Sequence, residues 1–151
     1  WFECKVRYEK TLENGLVKKV TEPYLVDALS FTEAERRFIE EIEPFMSGEF
    51  QVTDIKRAKY AELFETDEDA ADRWFKAKVA FTLDEKSGAE KKSNQNMLIQ
   101  ASDLRDAVKR LDKGMEGTMA DYEIASIAET PIMDVFHYKA EADEKPEFPE
   151  A

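Results

Sequence analysis

The chain matches itself. Displaced by 73 positions, the run WFECKVRY (Trp1 to Tyr8) lies on WFKAKVAF (Trp74 to Phe81), and the register holds without a gap as far as Met46 and Met119. Gly15 meets Gly88, Lys18 and Lys19 meet Lys91 and Lys92, Leu25 meets Leu98, Ala34 meets Ala107 and Arg37 meets Arg110. Thirteen of these 46 positions are identical, where chance gives about three, so one supersecondary unit has been used twice. After a one-residue deletion, Phe50, Val52, Ile55 and Phe64 face Tyr122, Ile124, Ile127 and Phe136. The chain is therefore read as two repeats, 1–65 and 74–138, joined by a linker, 66–73, and followed by a tail, 139–151.

Each repeat reads as β-β-α-β. Phe2, Cys4, Val6 and Tyr8 alternate with Glu3, Lys5, Arg7 and Glu9, the period of a strand with one face in the core. Asn14-Gly15 and Ser87-Gly88 supply the positive φ that a tight hairpin turn requires, and return strands follow through Tyr24 to Ala28 and Met97 to Ala101. Ser30 with Glu33 forms a capping-box signature ahead of the stripe Phe31, Ala34, Phe38, Ile42. Ser102 or Asp103 opens the second helix, whose stripe is Leu104, Ala107, Val108, Leu111 and Met115. Third strands start at Phe50 and Tyr122, are interrupted near Ala58 and at Pro131, and leave room for a further short strand in Lys59 to Phe64 and in Ile132 to Tyr138. The expected architecture is one α+β domain over 1–138, an antiparallel sheet with two helices on one face and a pseudo-twofold axis.

Composition limits the chemistry. Hydrophobic residues at 42% and aromatics at 11% supply a core, so a folded protein is expected. One cysteine, Cys4, excludes an intramolecular disulfide, and one histidine, His137, excludes a Cys/His zinc cluster. No metal or cofactor is expected. No apolar run approaches the length that spans a bilayer, and the N-terminus lacks a basic segment followed by an apolar one, so a cytoplasmic location is expected. Trp1 is not an initiator methionine, and the natural chain is expected to begin earlier. The tail KAEADEKPEFPEA carries Pro146 and Pro149, has no periodicity, and is expected to be acidic and disordered.

Catalytic candidates are few. His137 is the one side chain that titrates near neutrality without help, but no nucleophile motif partners it, and its counterpart in the first repeat is Glu65. The acidic run TDEDAAD lacks the spacing that wraps a cation in an EF-hand and reads as a solvated linker. Cys4 aligns with Ala77 and reads as a small buried hydrophobe. The chain is accordingly read as non-enzymatic.

Charge points to binding. Linker and tail each contribute −3 of the net −12, which leaves the repeats mildly acidic. Within them the hairpins are basic: Lys5, Arg7, Lys18 and Lys19 lie on the first, Lys76, Lys78, Lys91 and Lys92 on the second, with Lys56 and Arg57 on the third strand. Trp1 and Trp74 are out of phase with the core series and are placed on the same open face. Lysines and exposed rings on a sheet suit a single-stranded nucleic acid, and the acidic tail would compete for the same lysines. Alternating Lys and Glu also solvate an ordinary exposed sheet. A third reading is an acidic DNA mimic that occupies a basic cleft. The reading taken is a binding or adaptor module for a protein partner or a second copy of the chain, with nucleic acid as the alternative.

The runs WFECKVRYEK, KKVTEPYLVDALSFTEAE, QASDLRDAVKRLD and MADYEIASIAETPIMDVF resemble an uncharacterised domain family of Bacteroides-like gut bacteria and their phages. The resemblance extends to about Tyr138. It implies no activity and no site residues, but it implies a phage or mobile-element setting, where small accessory proteins bind DNA or host proteins.

Overall fold

A computed structural model describes residues 1–84 and 88–138. The order of elements is β1 (Phe2–Thr11), β2 (Val17–Val26), α1 (Phe31–Ile42), a 3-10 turn (Glu43–Phe45), β3 (Phe50–Arg57), β4 (Glu62–Phe64), β5 (Arg73–Asp84), β6 (Glu90–Ala101), α2 (Leu104–Gly114), β7 (Asp121–Thr130) and β8 (Val135–Phe136). The chain is mixed α+β, with two sheets rich in antiparallel pairs and two helices. No helix among the described residues is long and apolar enough to cross a membrane. The acidic tail, 139–151, lies outside the described residues.

A single sheet carrying both helices is not what forms. The strands make two four-stranded sheets, β3-β1-β2-β8 and β4-β6-β5-β7. Each hairpin is flanked on one side by its own third strand and on the other by a short parallel strand that pairs with two residues of β2 or three of β6. The short strands come from the opposite repeat. β8 pairs Leu25 with Val135 and Val26 with Phe136, whereas β4 pairs Leu63 with Leu98 and Phe64 with Ile99.

The compact units follow this exchange rather than the repeat limits. Unit 1 is Trp1–Ala58 together with the chain from Asp134, and unit 2 is the continuous segment Lys59–Met133.

In unit 1, β1 and β2 pair from Phe2↔Val26 to Thr11↔Val17. Their loop is closed by Leu12 N–H to Leu16 O (2.7 Å) and Gly15 N–H to Leu12 O (2.9 Å), with Gly15 at φ 84°, a conformation that side chains other than glycine resist. The Ser30 hydroxyl accepts from Glu33 N–H at 3.1 Å, and Glu33 accepts from Leu29 N–H at 3.3 Å, which starts α1 by satisfying donors that have no helical partner. Ala34, Phe38 and Ile42 of α1 close over Phe2, Cys4, Val6 and Val26, with Tyr24, Phe50, Val52, Ile55 and Phe136 around them. The Tyr24 and Phe136 rings stack with centroids 5.6 Å apart, which seats the two-residue β8 in this core. Cys4 is fully buried here, and burial pushes its thiol up to about 12.

In unit 2, β5 and β6 pair from Arg73↔Ala101 to Asp84↔Glu90, and Phe75↔Ile99 occupies the place of Phe2↔Val26. The outer strands correspond as well. A bulge interrupts β1–β3 between Lys5 and Val6, and another interrupts β5–β7 between Lys78 and Val79. Asp103 caps α2 by accepting from Asp106 N–H at 2.8 Å. Ala107, Leu111 and Met115 pack on Phe75, Ala77, Val79, Met97 and Ile99, with Phe64 of β4 against the cluster.

Candidate functional site

Strand alternation and register decide where each basic residue points. In sheet 1, residues of β1 in phase with Phe2 and Cys4 face α1, and those in phase with Lys5 face away. The face away from α1 carries Lys5, Arg7, Lys19 and Lys56, among Glu3, Glu9 and Asp54. Lys5 stands opposite Asp54, Glu9 opposite Lys19, and Glu3 binds Lys56 with Nζ to Oε2 at 3.3 Å. Lys18 stands opposite Lys10 on the helix side, and Arg57 opposite Phe2 on the same side. In unit 2, Lys76, Lys78 and Lys92 face away from α2, Lys92 is paired with Glu123 at 3.2 Å, and Lys91 lies on the helix side opposite Leu83. The ten basic residues are thus divided over both faces of each sheet.

The two tryptophans differ in exposure. Trp74 is only 4% exposed, and its carbonyl accepts from Thr130 Oγ1 at 3.0 Å. Trp1 is half-buried with its ring edge-on to His137, centroids 5.3 Å apart. Phase alone placed Trp74 on an open face, but phase reports the side of a sheet and not whether that side meets water; Pro23 and Leu25 in sheet 1, also out of phase with the core series, are likewise buried.

Two of the predicted residues do converge on a cleft. β3 pairs with β1 only as far as Tyr8↔Phe50, while β1 continues to Thr11 with β2 alone beside it. The resulting step, walled by Ser47 to Glu49, encloses about 620 Å³. Arg7 and Lys19 line it with Glu9, Glu49, Gln51 and Val17. Neither cation is ion-paired among the described residues. Behind them the Tyr8 hydroxyl donates to Glu22 at 2.7 Å, and burial, reinforced by that carboxylate, pushes the phenol up to about 12. Gln51 and Glu49 carried no sequence signal, because their relevance depends on where β3 begins. In unit 2 Ala80 stands in the position of Arg7, and β7 extends its pairing to Thr82↔Asp121, so the step is shorter.

A second cavity, about 450 Å³, lies in unit 2 beside β4 and α2. Of the two cations that line it, Arg110 and Lys113, the first is engaged within the unit. Arg110 binds Glu68 and donates from Nε to Asp106 Oδ2 at 2.8 Å. Asp106 also accepts from Ser102 N–H at 2.9 Å, and that bond, followed by the Arg110 contact, holds its carboxyl below the usual carboxylate range. The acidic linker is thereby tied down through Glu68. Among the described residues no three His, Cys, Asp or Glu side chains are grouped to hold a metal ion.

Two four-stranded sheets, each with one helix packed on it, and a cleft in one of them lined by cations define a mixed α+β protein. The chain belongs to the family described as Domain of unknown function (DUF4494), whose model matches residues 1–138. No curated protein matches it.

Proposed function

We propose that the chain is a non-enzymatic binding or adaptor module whose ligand-facing site is the cleft of unit 1. The observation that carries this reading is the pair of Arg7 and Lys19, two cations with no ion-pair partner among the described residues, in a cavity of ligand size. A guanidinium and an ammonium so placed take an anionic group, while Glu9 and Glu49 on the same walls repel a polyanion. A peptide segment carrying both signs of charge fits that lining better than a phosphodiester chain does. His137 packs on Trp1, which supports a structural role for the single histidine. A phage or mobile-element setting is consistent with an accessory protein of this kind.

The two units descend, in this reading, from one duplicated β-β-α-β ancestor. Correspondence of the pairings Phe2↔Val26 with Phe75↔Ile99 and Leu25↔Val135 with Leu98↔Leu63 supports it. Loss of the Arg7 equivalent at Ala80 supports ligand binding by one copy only.

Single-stranded nucleic acid is the second reading, favoured by Lys5, Arg7, Lys19 and Lys56 on one sheet face. One pair of titrations separates the two. A labelled oligonucleotide and a labelled mixed-charge peptide are titrated into wild type and into the Arg7→Ala, Lys19→Ala double variant. Peptide binding lost in the variant supports the cleft; salt-sensitive oligonucleotide binding alone supports the second reading; binding of neither probe removes both.

A further inference from the structure

At the other end of the unit 1 sheet, Arg57 lies with its guanidinium carbon 5.2 Å from the ring centroid of Phe2 and 5.1 Å from that of Phe31. The two rings meet edge to face, centroids 5.0 Å apart, so Arg57 lies against an aromatic pair. Phe2 is buried, whereas Phe31 is 46% exposed and Leu29, two residues earlier, is 76% exposed. Arg57 is itself exposed and makes no ion pair among the described residues. The two ring contacts hold the cation beside the aromatic pair, and its planar fork of N–H donors suits a carboxylate.

The corresponding place in unit 2 is filled differently. Phe75 stands where Phe2 does, but the residue paired with it is Glu129, and Glu129 binds Arg73 at 3.9 Å within the same unit. Leu104 replaces Phe31. Unit 2 therefore fills the place with an internal ion pair, and unit 1 presents a cation without one among the described residues.

We propose that Arg57, Phe31 and Leu29 form a docking site for an acidic peptide segment of a partner protein, in which a carboxylate meets the guanidinium and a neighbouring apolar side chain covers Leu29 and Phe31. The pairing is set by complementarity. A planar guanidinium held between two rings donates to a carboxylate through two parallel N–H bonds, and the adjoining apolar surface rewards a Leu, Phe or Trp beside the acid. The site lies at the Phe2↔Arg57 end of the sheet and the cleft at the Tyr8↔Phe50 end, so the inference does not depend on the cleft.

Selection of a displayed library of random twelve-residue peptides against the full chain tests it, followed by fluorescence anisotropy of the enriched peptides. Enriched sequences are expected to place Asp or Glu within three residues of a large apolar side chain. Their affinity is expected to fall at least tenfold in Arg57→Gln and several-fold in Phe31→Ala, and to be unchanged when Arg7 and Lys19 are both alanine. Arg57→Lys, which keeps the charge but not the planar fork, is expected to fall between wild type and Arg57→Gln. A selection with no enrichment, enrichment without acidic residues, or affinity unaltered by Arg57→Gln overturns the proposal. Loss confined to the Arg7 and Lys19 variant does so too and assigns the peptides to the cleft, while an oligonucleotide that binds through Arg57 in place of the peptides replaces the proposed partner with a phosphate chain.

Discussion

Leu25 pairs with Val135, and Leu98 pairs with Leu63, so each hairpin is completed by the last strand of the other repeat. The backbone confirms the seating of β8: Leu25 N–H donates to Asp134 O at 3.0 Å and Asp27 N–H to Phe136 O at 2.9 Å. Unit 2 is as a result continuous in sequence and unit 1 is not.

Fragment boundaries should follow the units and not the repeats. A fragment of residues 59–133 keeps β4 with β6, whereas a fragment of 74–138 loses Leu63 and Phe64 and carries β8 with no β2 to pair with. The first should be the more stable by about 2–4 kcal/mol, the scale of removing one or two apolar side chains from a core. Urea unfolding of both, followed by circular dichroism, measures the difference, and equal midpoints would contradict the exchange.

Gly114 sets the space for β4. A Cβ built there lies 2.5 Å from the Phe64 ring, so the aromatic ring and the helix backbone are in direct contact. Gly114→Ala gains helix propensity of up to about 1 kcal/mol but forces the ring outward, and overpacking of this kind costs about 1–3 kcal/mol. Net destabilisation of about 1 kcal/mol is expected, together with faster amide exchange at Leu63 and Phe64. Slower exchange there would show that the ring yields freely.

Alkaline pH should unfold unit 1 through groups held protonated in its native state. The Cys4 thiol moves from 9.0 to about 12, by burial first and by nearby Glu3 and Asp54 next, and Tyr8 and Tyr24 move from 10.0 to about 12, again chiefly by burial. Each acid ionises more readily in the unfolded chain, which then binds fewer protons than the native state, so stability is full below about 9 and falls as pH rises towards about 12. Cys4→Ala should flatten the part of that decline that begins near 9, read from denaturation midpoints across the range. Below pH 9 the wild-type thiol should react with a disulfide reagent only at the rate of opening.

Much of the local structure was legible. Gly15 takes the positive φ its turn position calls for, Ser30 and Asp103 cap their helices, β3 stops at Arg57 next to Ala58, and β7 stops at Thr130 before Pro131. These are interactions among residues a few positions apart, and the amino acids that make them advertise the geometry. The basic site was legible only in part. Alternation along the hairpin marks Arg7 and Lys19 only as two cations among ten; the cleft that joins them exists because β3 begins at Phe50, and the ring pair beside Arg57 exists because α1 brings Phe31 against Phe2. Trp74 shows the reverse, a ring assigned to an open face by its phase and buried in the fold.

The amphipathic faces of the strands and helices, the helix caps and an α+β class were determined by the sequence itself, because periodicity and caps act within a few residues. Partition into two sheets, and the exchange of β4 and β8, were decided only in the tertiary structure. The reason is physical: β4 and β8 are three and two residues long and pair through backbone hydrogen bonds common to every residue type, so their residues do not announce which strand they join. With pairing chemistry so nearly equal, chain connectivity and the packing of Phe64 and Phe136 make the choice.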